Sequence, residues 1–203
     1  MPLVKKPHTA AAPAAPEDWR ALAEKLRTGT PDEAWNAARA LADEPQSAAV
    51  LSEALAIHTS QPLREAIFTS LARHNSQAAF DVLLHHLRTG DAQHRSGALG
   101  TMALMPEMVT QHLDALLHDA DPDIRILACD LARHIPAAPT LAAILTTEPL
   151  VNVCAAAIDV LADIGTAAEG TALIACGQRF PKEFFLHFSI KTAMERISSR
   201  AGP

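Results

Sequence analysis

Residues Asp121 to Pro136 read DPDIRILACDLARHIP, and this stretch decides the fold. Apolar residues stand at Ile124, Leu127, Ala128, Leu131, Ala132 and Ile135, which is helical spacing. Asp121 followed by Pro122 reads as an N-cap with proline in the first turn, where its missing N–H removes no helical bond. Sixty residues earlier, Pro62 stands on Pro122, and Leu71-Ala72-Arg73-His74 stands on Leu131-Ala132-Arg133-His134 without a gap. Thirty residues earlier, Asp91, Arg95, Ala98 and Pro106 stand on Asp121, Arg125, Ala128 and Pro136. A period of about thirty residues, with helical spacing inside each unit, marks a helical repeat.

Outward from this stretch the chain divides into helix pairs. The first helices of the pairs are expected over residues 17–28, 46–58, 76–89, 107–118, 139–146 and 167–178. The second helices are expected over 31–42, 62–74, 92–105, 122–135, 151–164 and 182–198. Thr30-Pro31-Asp32-Glu33 has capping-box spacing. Leu26-Arg27-Thr28-Gly29 returns as Leu87-Arg88-Thr89-Gly90, two repeats later, each time with glycine in the position of a C-terminal cap. The fold class is therefore all-α, an α–α superhelix (alpha solenoid) of about six stacked pairs. Residues 16–203 form the repeat domain, and residues 1–15, MPLVKKPHTAAAPAA, lack periodicity and read as a disordered tail.

The second helices align without gaps. With Arg125 as position zero, its equivalents are Trp35, Glu65, Arg95, Cys154 and His187. Positions 3, 6, 7 and 10 are overwhelmingly apolar and form the buried stripe. Positions 1, 5, 8 and 9 then point away from it at 100° per residue. On that face the central repeats carry Ala66, Ser70, Arg73 and His74, then Ser96, Gly100, Ala103 and Leu104, then Ile126, Asp130, Arg133 and His134. The first and fifth repeats are acidic there.

Composition agrees with close helix packing. Apolar residues make up 49% and aromatics only 4%, with no tyrosine, which disfavours a sheet. The formal charge of −6 argues against a phosphate-binding surface, so no nucleic acid is expected as a partner. No apolar run reaches membrane-spanning length, and Lys5-Lys6 is not followed by a signal-like apolar segment. The three cysteines, Cys129, Cys154 and Cys176, sit in helical patterns and suit a reducing cytoplasm.

The register resembles the HEAT repeat, in the short bacterial form also found in phycobilisome-lyase-like proteins. The matching residues are the Asp121-Pro122 turn, Ile124-Arg125, the Ala128…Leu131-Ala132…Ile135 series, and Leu161-Ala162-Asp163-Ile164-Gly165 as a second-helix ending. The resemblance covers about residues 16–198 and implies a right-handed superhelix with the second helices on its concave side. It also implies an extended inner surface for a protein partner. The family's Asp–Arg ladder is expected to be local here, because only Arg95 and Arg125 hold the arginine position.

Chemistry is sparse. There is no GxxxxGK[ST], GxGxxG or GxSxG, and no two of the ten histidines are three or four residues apart. His85 and His86 are adjacent and should diverge on a helix. Neither a metal site nor a cofactor is expected. Cys129 and Cys154 read as inert packing rather than nucleophiles. The expectation is a non-catalytic cytoplasmic adaptor or regulator that grips a mixed apolar and acidic segment of another protein. Arg73, His74, Arg133 and His134 are its candidate polar anchors and Leu104 and Ile126 its apolar contacts. The alternative is an accessory subunit of a bilin lyase-like enzyme, or a HEAT-like DNA glycosylase. The Phe-rich stretch RFPKEFFLHF, with Phe180, Phe184, Phe185 and Phe188, reads as a cap on the last repeat; its alternative is a patch for a partner or for self-association.

Overall fold

A computed structural model describes residues 18–200, so the expected tail at residues 1–15 lies outside the described residues. The described residues form twelve α-helices and no strand: α1 (Trp19–Thr28), α2 (Pro31–Ala40), α3 (Ser47–Ile57), α4 (Gln61–His74), α5 (Gln77–Thr89) and α6 (Ala92–Met102), followed by α7 (Pro106–Leu117), α8 (Pro122–Ala132), α9 (Ala138–Ile144), α10 (Val151–Ile164), α11 (Gly170–Arg179) and α12 (Phe184–Arg200). These are the six expected pairs. The chain is a helical repeat protein.

The helix starts follow the capping signals. Asp121 accepts a hydrogen bond from the Asp123 N–H at 2.9 Å, Asp91 accepts from His94 at 2.9 Å, and Thr30 with Glu33 forms a reciprocal box. The ends depart from expectation. α6 and α8 stop three residues early because their last turns tighten to i→i+3 bonds, such as Leu104 N–H to Thr101 O and His134 N–H to Leu131 O. Gly29 and Gly90 do close their helices, but in an extended rather than left-handed conformation. Glycine is needed there for space: a Cβ at either site would lie 2.5 Å from the carbonyl oxygen four residues back.

The described residues fall into two compact units that divide after Ser70, inside α4. In the first, α1 packs on α2 and α3, and Leu22, Leu26, Leu41, Leu51 and Leu55 form the core. His58 Nε2 shares a 2.8 Å hydrogen bond with the Leu26 carbonyl. In the second, the second helices pack in succession, α6 on α8, α8 on α10 and α10 on α12. Position 3 of the stripe shows how close they come: Ala98, Ala128 and Ala157 are all essentially inaccessible to solvent. Small side chains at such positions permit close approach of packed helices. The expected outward face is corrected at Ala66, Ser70 and Ala162, which are buried. Ser70 tolerates this because its hydroxyl donates to the Ala66 carbonyl at 2.9 Å.

The second unit is fastened by a carboxylate that sequence periodicity does not mark. Glu148, in the loop between α9 and α10, is 6% exposed. Its two oxygens accept from Arg125 Nε at 2.9 Å and Nη2 at 3.0 Å, and Oε1 also accepts from the Leu150 N–H at 2.9 Å, at the start of α10. Arg125, from α8, uses its remaining nitrogen on the Asp119 carbonyl at 2.8 Å. The Glu148 backbone carbonyl accepts from Arg179 of α11 at 2.6 Å, and Arg179 reaches the Leu145 carbonyl at 2.5 Å. Repeats four, five and six thus meet at one residue. The expected Asp–Arg ladder is reduced to Arg95–Asp123 at 3.8 Å, while Arg125 pairs with glutamate instead.

Glu148→Leu strands a buried guanidinium and is expected to destabilise the second unit by about 3–5 kcal/mol, the usual consequence of breaking a buried pair on one side. Urea unfolding should show this, and the double variant Arg125→Met/Glu148→Leu should unfold at a higher midpoint than Glu148→Leu alone.

Candidate functional site

The candidate anchors all belong to the second unit, where the second helices expose one row of positions. Leu104, His134 and Asp163 share register position 9 at the C-terminal ends of α6, α8 and α10. Leu104 is 71% exposed, His134 is exposed, and Ile126 is half-buried. One turn before Leu104, a Cβ built on Gly100 would meet nothing within 4 Å, so the surface beside Leu104 is open. Arg73 is exposed at the end of α4, and His74 Nδ1 shares a 2.6 Å hydrogen bond with the Ser76 hydroxyl that caps α5.

Arg133 is not a bare anchor. Its guanidinium pairs with Asp159 at 2.8 Å and with Asp163, both on α10, and lies 3.9 Å from Asp130. Arg196 of α12 then reaches the other oxygen of Asp163 at 3.2 Å. The result is a chain of alternating charge across α8, α10 and α12. Sequence reasoning placed all these residues on one face but aimed them at solvent. The signal that reveals their pairing is the repeat spacing itself, since Asp159 and Asp163 lie one unit beyond Asp130 and Arg133.

The face therefore has two halves. At α6 and the start of α8 it is small and apolar, with Gly100, Leu104 and Ile126. Toward α12 its charges are largely self-neutralised, and the ring of Phe188 stands exposed at the register position of Ile126. An acidic group from a partner would compete with Asp159 and Asp163 for Arg133, and such exposed pairs are weak enough to exchange.

The three thiols are buried and form no disulfide. Burial, reinforced by Asp130, pushes the Cys129 thiol up to about 12, so it stays protonated at neutral pH. Cys154 and Cys176 meet between α10 and α11; the hydrogen bond between them raises Cys154 and lowers Cys176. Among the described residues, no group of three or more His, Cys, Asp or Glu is placed to hold a metal ion.

The histidines hold one surprise. His85 and His86 were expected to diverge, yet their rings meet edge to face at 5.5 Å, and His86 also stacks on His94 of α6 at 5.6 Å. A contact between helices lies outside any single-helix spacing rule. His86 is buried and its Nε2 has no hydrogen-bond partner.

No family model matches the chain, and no curated protein does. Similar solved structures include the complex of CpcE and CpcF of phycocyanin lyase from Nostoc sp. PCC7120. It is 16% identical over 85% of this chain and 74% of that one, with a TM-score of 0.44. Two engineered proteins are similar at 17% and 18% identity. They cover 90% and 89% of this chain, and 97% and 58% of their own, with TM-scores of 0.39 and 0.40. No helix among the described residues is long and apolar enough to cross a membrane.

The histidine cluster makes stability depend on pH. Desolvation first, then the neighbouring His94 and His85, holds His86 below its ordinary value in the folded chain. A group whose pKa is lowered by folding contributes stability above the unfolded value, and that stability is lost as pH falls. The melting temperature should thus drop as pH is taken below about 6.5, the ordinary histidine value, and His86→Phe should flatten the lower limb of that profile.

Proposed function

We propose that the chain is a HEAT-type repeat protein acting as a non-catalytic adaptor, which takes a segment of a partner protein on the exposed face of its second helices. The observation that carries this reading is Leu104. A large apolar side chain, 71% exposed, sits beside the open space at Gly100, and its neighbours on that part of the face, Ser96, Gly100 and Ala103, are small. An exposed apolar patch rimmed by polar residues is a common mark of an interaction site, and charges arranged around it set register and orientation.

In this reading an apolar side chain of the partner packs against Leu104 and Ile126. His134, Arg73 and His74 line the polar margin. Arg133 serves through its ion chain, so that an acidic partner group exchanges places with Asp159 or Asp163. The cytoplasm is the proposed compartment, from the three free thiols.

A photo-crosslinking residue at Leu104 should yield a specific adduct in lysate, while the same residue at Gln111, an exposed position on α7, should not. The Leu104→Asp/His134→Glu variant, folded by circular dichroism, should lose at least tenfold in affinity for the captured protein. Equal adducts from both positions, or unchanged affinity, would move the site off this face.

A further inference from the structure

Apart from its buried stripe, the second helix of the last repeat carries another apolar stripe, at register positions −3 and 1, that is left exposed. α12 buries Leu186, Ile190, Ala193 and Ile197 against the rest of the unit. The expected capping role belongs to these residues and not to the phenylalanines. Phe184 is 87% exposed, Phe188 71% and Phe185 47%. In α10, the register equivalents of Phe184 and Phe188 are Val151 and Ala155, half-buried on a helix that α12 packs against. The next two positions of that stripe, Ile158 and Ala162, are buried in α10. In α12 they are Lys191 and Glu195, exposed and 3.8 Å apart as an ion pair. The C-terminal half of the stripe is thus made polar, as a solvent-facing end requires, and the N-terminal half is not.

Beside this ridge of rings runs a groove of about 370 Å³ between α11 and α12, lined by Ile174, Gly177, Pro181 and His187 among others. Gly177 keeps its floor low: a Cβ there would approach the Ile190 side chain to 3.2 Å. Ile174 is itself half exposed. A ridge and a groove therefore lie side by side on one end of the unit.

We propose that this end face is a two-fold interface with a second copy of the chain, in which the Phe184/Phe188 ridge of each copy enters the α11–α12 groove of the other. A two-fold axis pairs any surface with itself, so adjacent ridge and groove are satisfied twice by a single contact. The area is adequate. A phenylalanine buries about 150–250 Å², so the exposed parts of the three rings supply about 400 Å². That is about half of the 800 Å² per partner of a standard interface, and the groove walls at Ile174, Pro181 and His187 add to it. Lys191 and Glu195 form a polar rim that limits the contact to the N-terminal half of α12.

Sedimentation velocity of the full chain over a concentration series tests the interface. Wild type should show a monomer–dimer equilibrium. Phe184→Glu/Phe188→Glu should raise the dissociation constant at least a hundredfold with an unchanged far-ultraviolet spectrum. Ile174→Arg, which alters only the groove, should do the same if ridge enters groove. A wild-type monomer at every concentration would overturn the proposal, as would dimers that survive the double variant. Dimers indifferent to Ile174→Arg would overturn the pairing of ridge with groove. Oligomers that keep growing with concentration would mean a non-closing contact and overturn the two-fold arrangement.

Discussion

The second unit ties three of its repeats together at one carboxylate that is almost removed from water. Glu148 sits in a loop that a helical repeat has no intrinsic need to order, and a buried charge there would be prohibitive alone. Arg125 answers it with two parallel hydrogen bonds, the geometry in which guanidinium and carboxylate pair best. The same residue offers its backbone oxygen to Arg179, so the loop is held from the preceding repeat and from the following one. Replacing the pair by apolar residues need not weaken the fold, but removing one half must. The pair, with Arg179, links α8, α11 and the start of α10 in one stagger.

That stagger positions the exposed row. Because α8, α10 and α12 stand in fixed succession, Arg133 falls opposite Asp159 and Asp163, and Arg196 falls opposite Asp163. A chain of exposed ion pairs contributes little to stability. It neutralises charge along the α10–α12 half of the face, where Phe188 also stands exposed at the register position of Ile126.

Much of this was legible in the sequence. All twelve helices could be placed from periodicity and caps, because each repeat writes its apolar stripe and its N-cap in local residues. Asp91, Asp121 and Thr30 cap as their neighbours predict. What resisted reading is contact between repeats. Glu148 has no periodic partner and is found only when its loop folds against Arg125. Arg133 looked like a free anchor because a helical wheel shows direction, not the residue that waits one repeat away. Ser70 looked exposed on the same wheel, though its hydroxyl had a carbonyl within its own helix. The phenylalanines were read as a cap because apolar residues near an array end usually close it; here Leu186 and Ile190 perform that task one face over.

The central claim is that three repeats are locked through Glu148 into one cooperative block that presents the second-helix face. Native-state hydrogen exchange tests it most directly. If the lock holds, amides in α8, α10 and α11 should exchange through a common opening, with the same free energy and the same denaturant dependence. If α11 opens at markedly lower free energy than α8, the repeats behave as independent nearest-neighbour units, and the account of Glu148 as their common tie is contradicted.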